Sequence, residues 1–444
     1  MSYGEPLRRS RRSAVRTPKR SASVVLTAVL ASLSLLLSAC TGSAGASTTG
    51  AIAGSTLDKA ATTRLDSALA SAMKLAGGSG AIAGVWAPWA GQWVVAAGTT
   101  TAGGSEPMTT DMRFRIGANT RSMTCTVLLE LVDDGTVKLT DQVDHYLKRT
   151  PGVEGITLGQ LCQGTSGLAD YRPDLAAQFV NNPTRQWPPL ELVSNALATD
   201  RVGKPGTAWH DSNSGYVLLG MALEAATHSD WPTLYQKYII DPLRLTATTY
   251  PSPSTLEMAG SHPHGYATAR AANGALVCGT VQDVTELSNS MAGVAGGVVS
   301  NLADMKTWSE ALAGGTLLSP EAKKKQWTTV AMGSAAPSWQ GYGLGALQLG
   351  PFRGESGSIP GFSSAMLSDP VSGLTIVVMF NNSSSGGDIA QHAAQQLASI
   401  ASKLPAADGK TAPLIEVPWS EAQMAQAMQK DAVCQPPATA APAS

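Results

Sequence analysis

The stretch FRIGANTRSMTCTVLLELVDDGTVKLTDQVDHYL, residues 114–147, organises the reading of the chain. Within it, Met123, Val127, Leu128, Leu131 and Val132 recur at helical spacing and predict a helix over 119–134, stopped near Gly135. Upstream, the spacing of Leu57, Leu65, Leu69 and Met73 predicts a helix over 58–75, ended by Gly77-Gly78. Between these two helices, residues 81–98 read as two strands, AIAGVWAP and WVVAAG, around the Ala90-Gly91 turn. Downstream, residues from about 155 to 335 mix helices with Pro- and Gly-rich loops, including amphipathic stretches at Gly215–Thr227 and Asn301–Ala313. From Tyr342 strands return as YGLGALQL, PFRGESG, SSAMLSD and, after the Ser372-Gly373 turn, LTIVVMF. A closing helix is predicted from Asp388 to Ser402. Strands at both ends around a helical middle give an α+β fold. The expectation is one antiparallel sheet built from both termini, flanked by helices, with an inserted mainly helical domain.

Composition sets the outer limits. The chain has 444 residues, 43% hydrophobic and 14% charged, so it can bury a large core and is not a disordered chain. Collagen-like, coiled-coil and small disulfide-scaffold classes are excluded. The balance of 31 Lys+Arg against 32 Asp+Glu hides an asymmetry. Residues 1–20 carry Arg8, Arg9, Arg11, Arg12, Arg16, Lys19 and Arg20 against the single acid Glu5; the rest holds 24 basic and 31 acidic residues, a net charge of −7. No nucleic-acid partner is expected of that body. No charged residue follows Arg20 until Asp58, and Val24 to Leu37 forms an apolar segment too short and serine-rich for a comfortable membrane span. It ends in Leu37-Ser38-Ala39-Cys40, which resembles a bacterial lipobox. The expectation is a signal peptide over 1–39 and a diacylated Cys40 holding the protein on the cell membrane, facing the extracytoplasmic side. A flexible tether over 40–57 would follow. The plainer reading is an ordinary signal peptide with an incidental cysteine. Cys125, Cys162, Cys278 and Cys434 then remain, an even number in an oxidising compartment, with three possible pairings. The main domain is expected over 58–405, with a helical subdomain at about 140–335; 406–444 is a C-terminal extension ending in the low-complexity PPATAAPAS.

Five blocks carry a resemblance. They are the opening stretch, ITLGQLCQGTSGLADY (156–171), PGTAWHDSNSGYVLLG (205–220), GGVVSNLADMKTW (296–308) and GESGSIPGFSS (354–364). In this order they resemble the serine β-lactamase and DD-peptidase superfamily, in its class C-like branch. The resemblance implies three catalytic motifs. A Ser-x-x-Lys at a helix N-terminus places hydroxyl and base on one face, where the helix end favours an oxyanion. A Tyr-x-Asn shuttles protons and holds the acyl side chain, and a Lys/His-x-Gly strand completes the electrostatics. Here the serine position is Ala118 and the lysine position Arg121; the tyrosine position is Asp211, with Asn213 retained; the third motif reads Glu355-Ser356-Gly357. Gly164 stands where the family's second block carries a histidine.

These replacements fail chemically. Ala118 has no nucleophile, and Arg121 cannot act as a base because its pKa exceeds about 12. Loss of nucleophile and base removes on the order of a million-fold in rate. Arg121, Asp211 and Glu355 nevertheless form a consistent set, one cation and two anions at positions that converge in the family fold. They suggest a salt-bridged plug with Arg121 forked to one or both carboxylates; the bland alternative is three independent solvent-facing charges. Ser122 lies about 100° around the helix from Ala118. Ser71-Ala72-Met73-Lys74 is read as a chance match, and Ser356 is the best remaining hydroxyl. Of the histidines, His262 and His264 read as a surface loop and His210 as a possible lining of the cleft. Trp86, Trp89 and Trp93 read as packing. The alignment also implies the pairs Cys125–Cys162 and Cys278–Cys434. No cofactor or metal is implied. The leading expectation is a non-catalytic protein that binds or senses a cell-envelope component, such as a peptidoglycan fragment, or an envelope protein. The alternatives are a serine hydrolase (esterase, amidase or DD-peptidase-like) with altered catalytic residues, and a structural envelope protein with a plugged cleft.

Overall fold

The structure, a computed structural model, describes residues 56–435. The expected signal peptide, Cys40, nearly all of the tether and the PPATAAPAS end lie outside the described residues. The first helix, α1 (Lys59–Ala76), is capped by the Asp58 side chain, which accepts from the Ala61 N–H. It ends where Gly77 turns left-handed and the Gly77 and Gly78 N–H groups reach back to Lys74 and Met73. Strands β1 (Gly80–Ala87) and β2 (Gly91–Gly98) form the expected hairpin. The C-terminal half supplies β3 (Gln340–Tyr342), β4 (Leu347–Leu349), β5 (Phe352–Ile359), β6 (Phe362–Ser368) and β7 (Thr375–Phe380). They join in the order β2-β1-β7-β6-β5-β4-β3, every pairing antiparallel, so one sheet is built from both termini.

Strand alternation feeds two cores. On β7, Ile376, Val378 and Phe380 face one core and Val377 and Met379 the other. The first core is closed by α1, α5 (Asp388–Ala401) and α6 (Glu421–Asp431). Met424 and Met428 of α6 lie in that core, so the C-terminal extension packs as part of the body. The second core lies under α2 (Asn119–Asp133), α3 (Asn213–Thr227) and α4 (Leu302–Gly314). Each of its buried Leu, Val or Met side chains contributes about 1.5–3 kcal/mol. The middle of the chain also holds a two-stranded ribbon, Tyr266–Arg270 with Leu276–Asp283.

One local reading is corrected. YGLGALQL, expected as one strand, is a hairpin of β3 and β4. Its turn glycines are forced: a Cβ on Gly343 would meet the Gln326 carbonyl at 2.1 Å, and Gly345, at φ +74°, lies against Cys125. Helix α2, predicted over 119–134, is buried on nearly every side. Polar residues on it bond within the fold; the Thr124 hydroxyl, for example, bonds Tyr235 and the Val294 carbonyl, each at 2.7 Å. Disulfides join Cys125 to Cys162 and Cys278 to Cys434. Trp89 and Trp93 are buried, their indole N–H groups donating to the Leu404 carbonyl and to Asp66.

Candidate functional site

The start of α2 is pressed edge-on against β5. The Ile116 N–H donates to the Val298 carbonyl, and the Asn119 amide bonds Ile116 and Ser364, fixing the approach of the chain. A Cβ on Gly357 would lie 2.2 Å from the Ala118 nitrogen, so only glycine permits this contact. The helix N-terminus, with its partial positive charge, therefore faces the free edge of β5 at Gly357. The residue at that point is Ala118, whose methyl group can neither attack nor hold a proton.

One turn along, Arg121 is 5% exposed. One terminal nitrogen of its guanidinium donates to Asp211 Oδ1 at 2.5 Å and the other to Asn213 Oδ1 at 2.9 Å; its Cζ lies 4.9 Å from the centre of the Tyr216 ring. Burial disfavours both charges, but the pairing outweighs it: Asp211 is held below the ordinary carboxylate range, and Arg121 is raised. Asp211 is not itself sealed, since 48% of its side chain remains exposed. Asn213 is oriented in turn by Asp170, whose carboxylate accepts from the Asn213 side-chain amide at 3.0 Å and backbone N–H at 3.2 Å. Burial raises Asp170.

Glu355 stands apart from this pair. No ion pair joins it to Arg121; instead Tyr342 donates to its Oε2 at 3.1 Å, and Tyr342 meets the Tyr216 hydroxyl at 2.9 Å. Its Oε1 accepts from the Ser356 N–H at 3.0 Å, and burial pushes its pKa up to about 8 against the pull of Arg121. The expected cluster of one cation and two anions is thus one ion pair, Arg121 with Asp211, and a Glu355 carboxyl held separately by Tyr342.

The other sequence candidates are placed as follows. Ser356 is corrected: strand alternation turns it away from Glu355 toward α5, where its hydroxyl donates to Gln391 at 3.0 Å. It cannot serve the Ala118 corner. The Ser122 hydroxyl is buried between the Asn119 carbonyl and the Trp308 indole. Ser71 and Lys74 are exposed on α1. Gly164 adopts φ +68°, and a Cβ there would lie 2.8 Å from the Trp209 indole nitrogen. Trp209 therefore occupies the space a side chain at 164 would need, and its ring sits 5.5 Å from that of Tyr342. His210 is fixed through its backbone, its N–H donating to the Gly164 carbonyl. His264 pairs with Asp283 on the ribbon. Sequence reasoning missed Asp170, Tyr216 and Tyr342. All three lie in quoted stretches, Asp170 in the 156–171 block, Tyr216 in the 205–220 block and Tyr342 at the start of YGLGALQL, but nothing in the sequence marked them as partners of the site.

The matching family model, described as Beta-lactamase, covers residues 65–400. The chain belongs to the beta-lactamase family. Among this family member's relatives, the D-alanyl-D-alanine-carboxypeptidase/endopeptidase AmpH of Escherichia coli is 32% identical over 221 residues, covering 48% of this chain. The chain spans about half the length of that relative, 52%. Penicillin-binding protein 4* of Bacillus subtilis is 24% identical over 59% of each chain. Of solved structures, a D-stereospecific amidohydrolase from Streptomyces sp. superposes with TM-score 0.63 at 31% identity, covering 72% of this chain and 94% of that one. The octameric penicillin-binding protein homologue of Pyrococcus abyssi, at 21% identity and TM-score 0.63, shares the fold, over 77% of this chain and 79% of its own.

Proposed function

We propose that this beta-lactamase family member is a non-catalytic, envelope-facing binding protein. The observation that carries the reading is the pairing of Ala118 with a committed Arg121: the nucleophile position holds a methyl group, and the base position holds a cation already bonded to Asp211 and Asn213. The names of the relatives favour a second reading, a serine hydrolase. The Ala118 corner offers that reading no hydroxyl, since Ser122 and Ser356 are both turned elsewhere. The order of basic stretch, apolar segment and Leu37-Ser38-Ala39-Cys40 supports attachment to the membrane through a lipid on Cys40, with a cell-envelope component or envelope protein as partner.

Labelling separates the two readings. Wild type exposed to a fluorescent penicillin and to a fluorophosphonate acquires no covalent label, whereas an authentic serine carboxypeptidase in the same assay does. An adduct on any residue of wild type overturns the non-catalytic reading. For the anchor, incorporation of labelled palmitate is expected in wild type and lost in Cys40→Ala.

A further inference from the structure

Beside the Arg121–Asp211 pair, and sharing Asn213 with it, lies a cavity of about 90 Å³. Part of its wall is apolar, with Ala176, Phe179, Val180 and Ile359; part is basic, with Arg172 and Arg270. The two arginines come from distant segments. Arg172 opens the helix Arg172–Asn181, and Arg270 ends the ribbon strand Tyr266–Arg270.

Arg172 is exposed to solvent and Arg270 is partly buried. Among the described residues, neither forms an ion pair with a carboxylate. Arg270 donates to the Gly274 carbonyl at 2.7 Å, and the Arg172 side chain makes no hydrogen bond among the described residues. Arg172 also sits at the positive end of a helix dipole, where a cation is unfavourable. Burial and the neighbouring Arg172 charge lower the pKa of Arg270, as expected of like charges held close. The nearby acid, Asp170, is already engaged by the Asn213 amide and by the backbone N–H groups of Asn213 and Arg172. The two guanidinium groups thus line one cavity wall with no carboxylate bonded to either, although Asp170, Asp211 and Asp388 lie within the longer-range field of Arg172.

We infer that this cavity binds a small organic carboxylate, its charged end between Arg172 and Arg270 and its short aliphatic group against Phe179, Val180 and Ile359. The volume, about 90 Å³, suits a carboxylate that carries a few carbons. Two planar forks suit a carboxylate, and the apolar wall favours one that carries a hydrocarbon group. The source is either a free short-chain acid or the C-terminus of a peptide. This inference deepens the non-catalytic binding reading by naming the ligand class.

Calorimetric titration of the full chain tests it, with isobutyrate and N-acetylalanine as probes and isobutyramide and inorganic phosphate as controls. Binding of either carboxylate without binding of the amide is expected; the tighter of the two assigns the source. Arg172→Gln and Arg270→Gln should each weaken binding by about 10-fold or more, and the double variant should abolish it. Ala176→Leu should block the cavity without altering charge, which guards against misfolding of the arginine variants. No heat from either carboxylate, equal binding of the amide, tighter binding of phosphate, or binding retained by the double variant overturns the site. Failure here with no covalent labelling leaves the non-catalytic reading standing. A covalent label alongside arginine-dependent binding removes that reading and keeps the site.

Discussion

Two neighbouring regions meet at Asn213 and treat positive charge in opposite ways. In the corner behind it, Arg121 is buried, and its two terminal nitrogens are taken up by Asp211 and Asn213. In the cavity before it, Arg172 and Arg270 face each other's field with no carboxylate paired to either. The contrast separates charge that completes a structure from charge left available. The first corner's cation is held by an ion pair; the second's two cations are not, and an anion would pair them.

The largest effect expected from this contrast is that of Asp211→Ala. It leaves the Arg121 charge buried without its carboxylate and should cost about 3–5 kcal/mol in urea unfolding. A cost below about 1 kcal/mol would mean that Asp211 does not hold Arg121, and that the two regions treat positive charge alike.

Glu355 sharpens the contrast through pH. Its folded pKa lies above its unfolded one, so the folded protein binds the extra proton between about 4.5 and 8, and stability falls as pH rises through that window. Asp211 has the opposite sign: its contribution is present above the ordinary carboxylate pKa and is lost as pH falls through its lowered folded value. Glu355→Gln should remove the alkaline loss. Between pH 5 and pH 8, wild type should lose on the order of 3 kcal/mol relative to the variant. Parallel pH–stability curves for the two proteins would show that Glu355 is ionised in the fold.

Much of this architecture was legible in the chain. Glycine-ended helices and alternating strands gave the two-ended sheet, and the ordered blocks located Ala118, Arg121, Asp211 and Glu355. The direction of Ser356 was legible too, because neighbours on a strand face opposite ways and Glu355 points to the α2 side. The rest required three dimensions. The polar run at the start of α2 looks solvent-facing, yet its partners, such as Tyr235 and the Val294 carbonyl, come from elements far along the chain. Tyr216 and Tyr342 look like core aromatics, and only their 2.9 Å contact makes them a relay between the Arg121 corner and Glu355. Arg172 and Arg270 are nearly one hundred residues apart, and no spacing rule connects a helix start to a ribbon end.

Arg121→Met probes the first pair from its other side and should cost less than Asp211→Ala. The group it strands is Asp211, half of whose side chain already meets water and needs little compensation. A loss of about 2 kcal/mol is expected, mostly from the packing over Tyr216 and the orphaned Asn213 carbonyl. If Arg121→Met proved the more damaging of the two, Asp211 would have to be far less hydrated than its exposure implies.

The smallest effect carries the comparison's other half. Arg172→Gln removes a cation that has no ion-pair partner, opposes a helix dipole and repels Arg270. The unliganded variant should therefore be as stable as wild type or more stable, by up to about 0.5 kcal/mol. A residue retained for structure behaves otherwise. Thermal unfolding at low ionic strength is the appropriate measurement, because salt screens both the dipole and the Arg270 repulsion, and the difference should shrink toward zero as salt rises. A clear destabilisation, of 1 kcal/mol or more and insensitive to salt, would assign Arg172 to the scaffold and make the two regions alike: both closed, with their charges already committed to the fold.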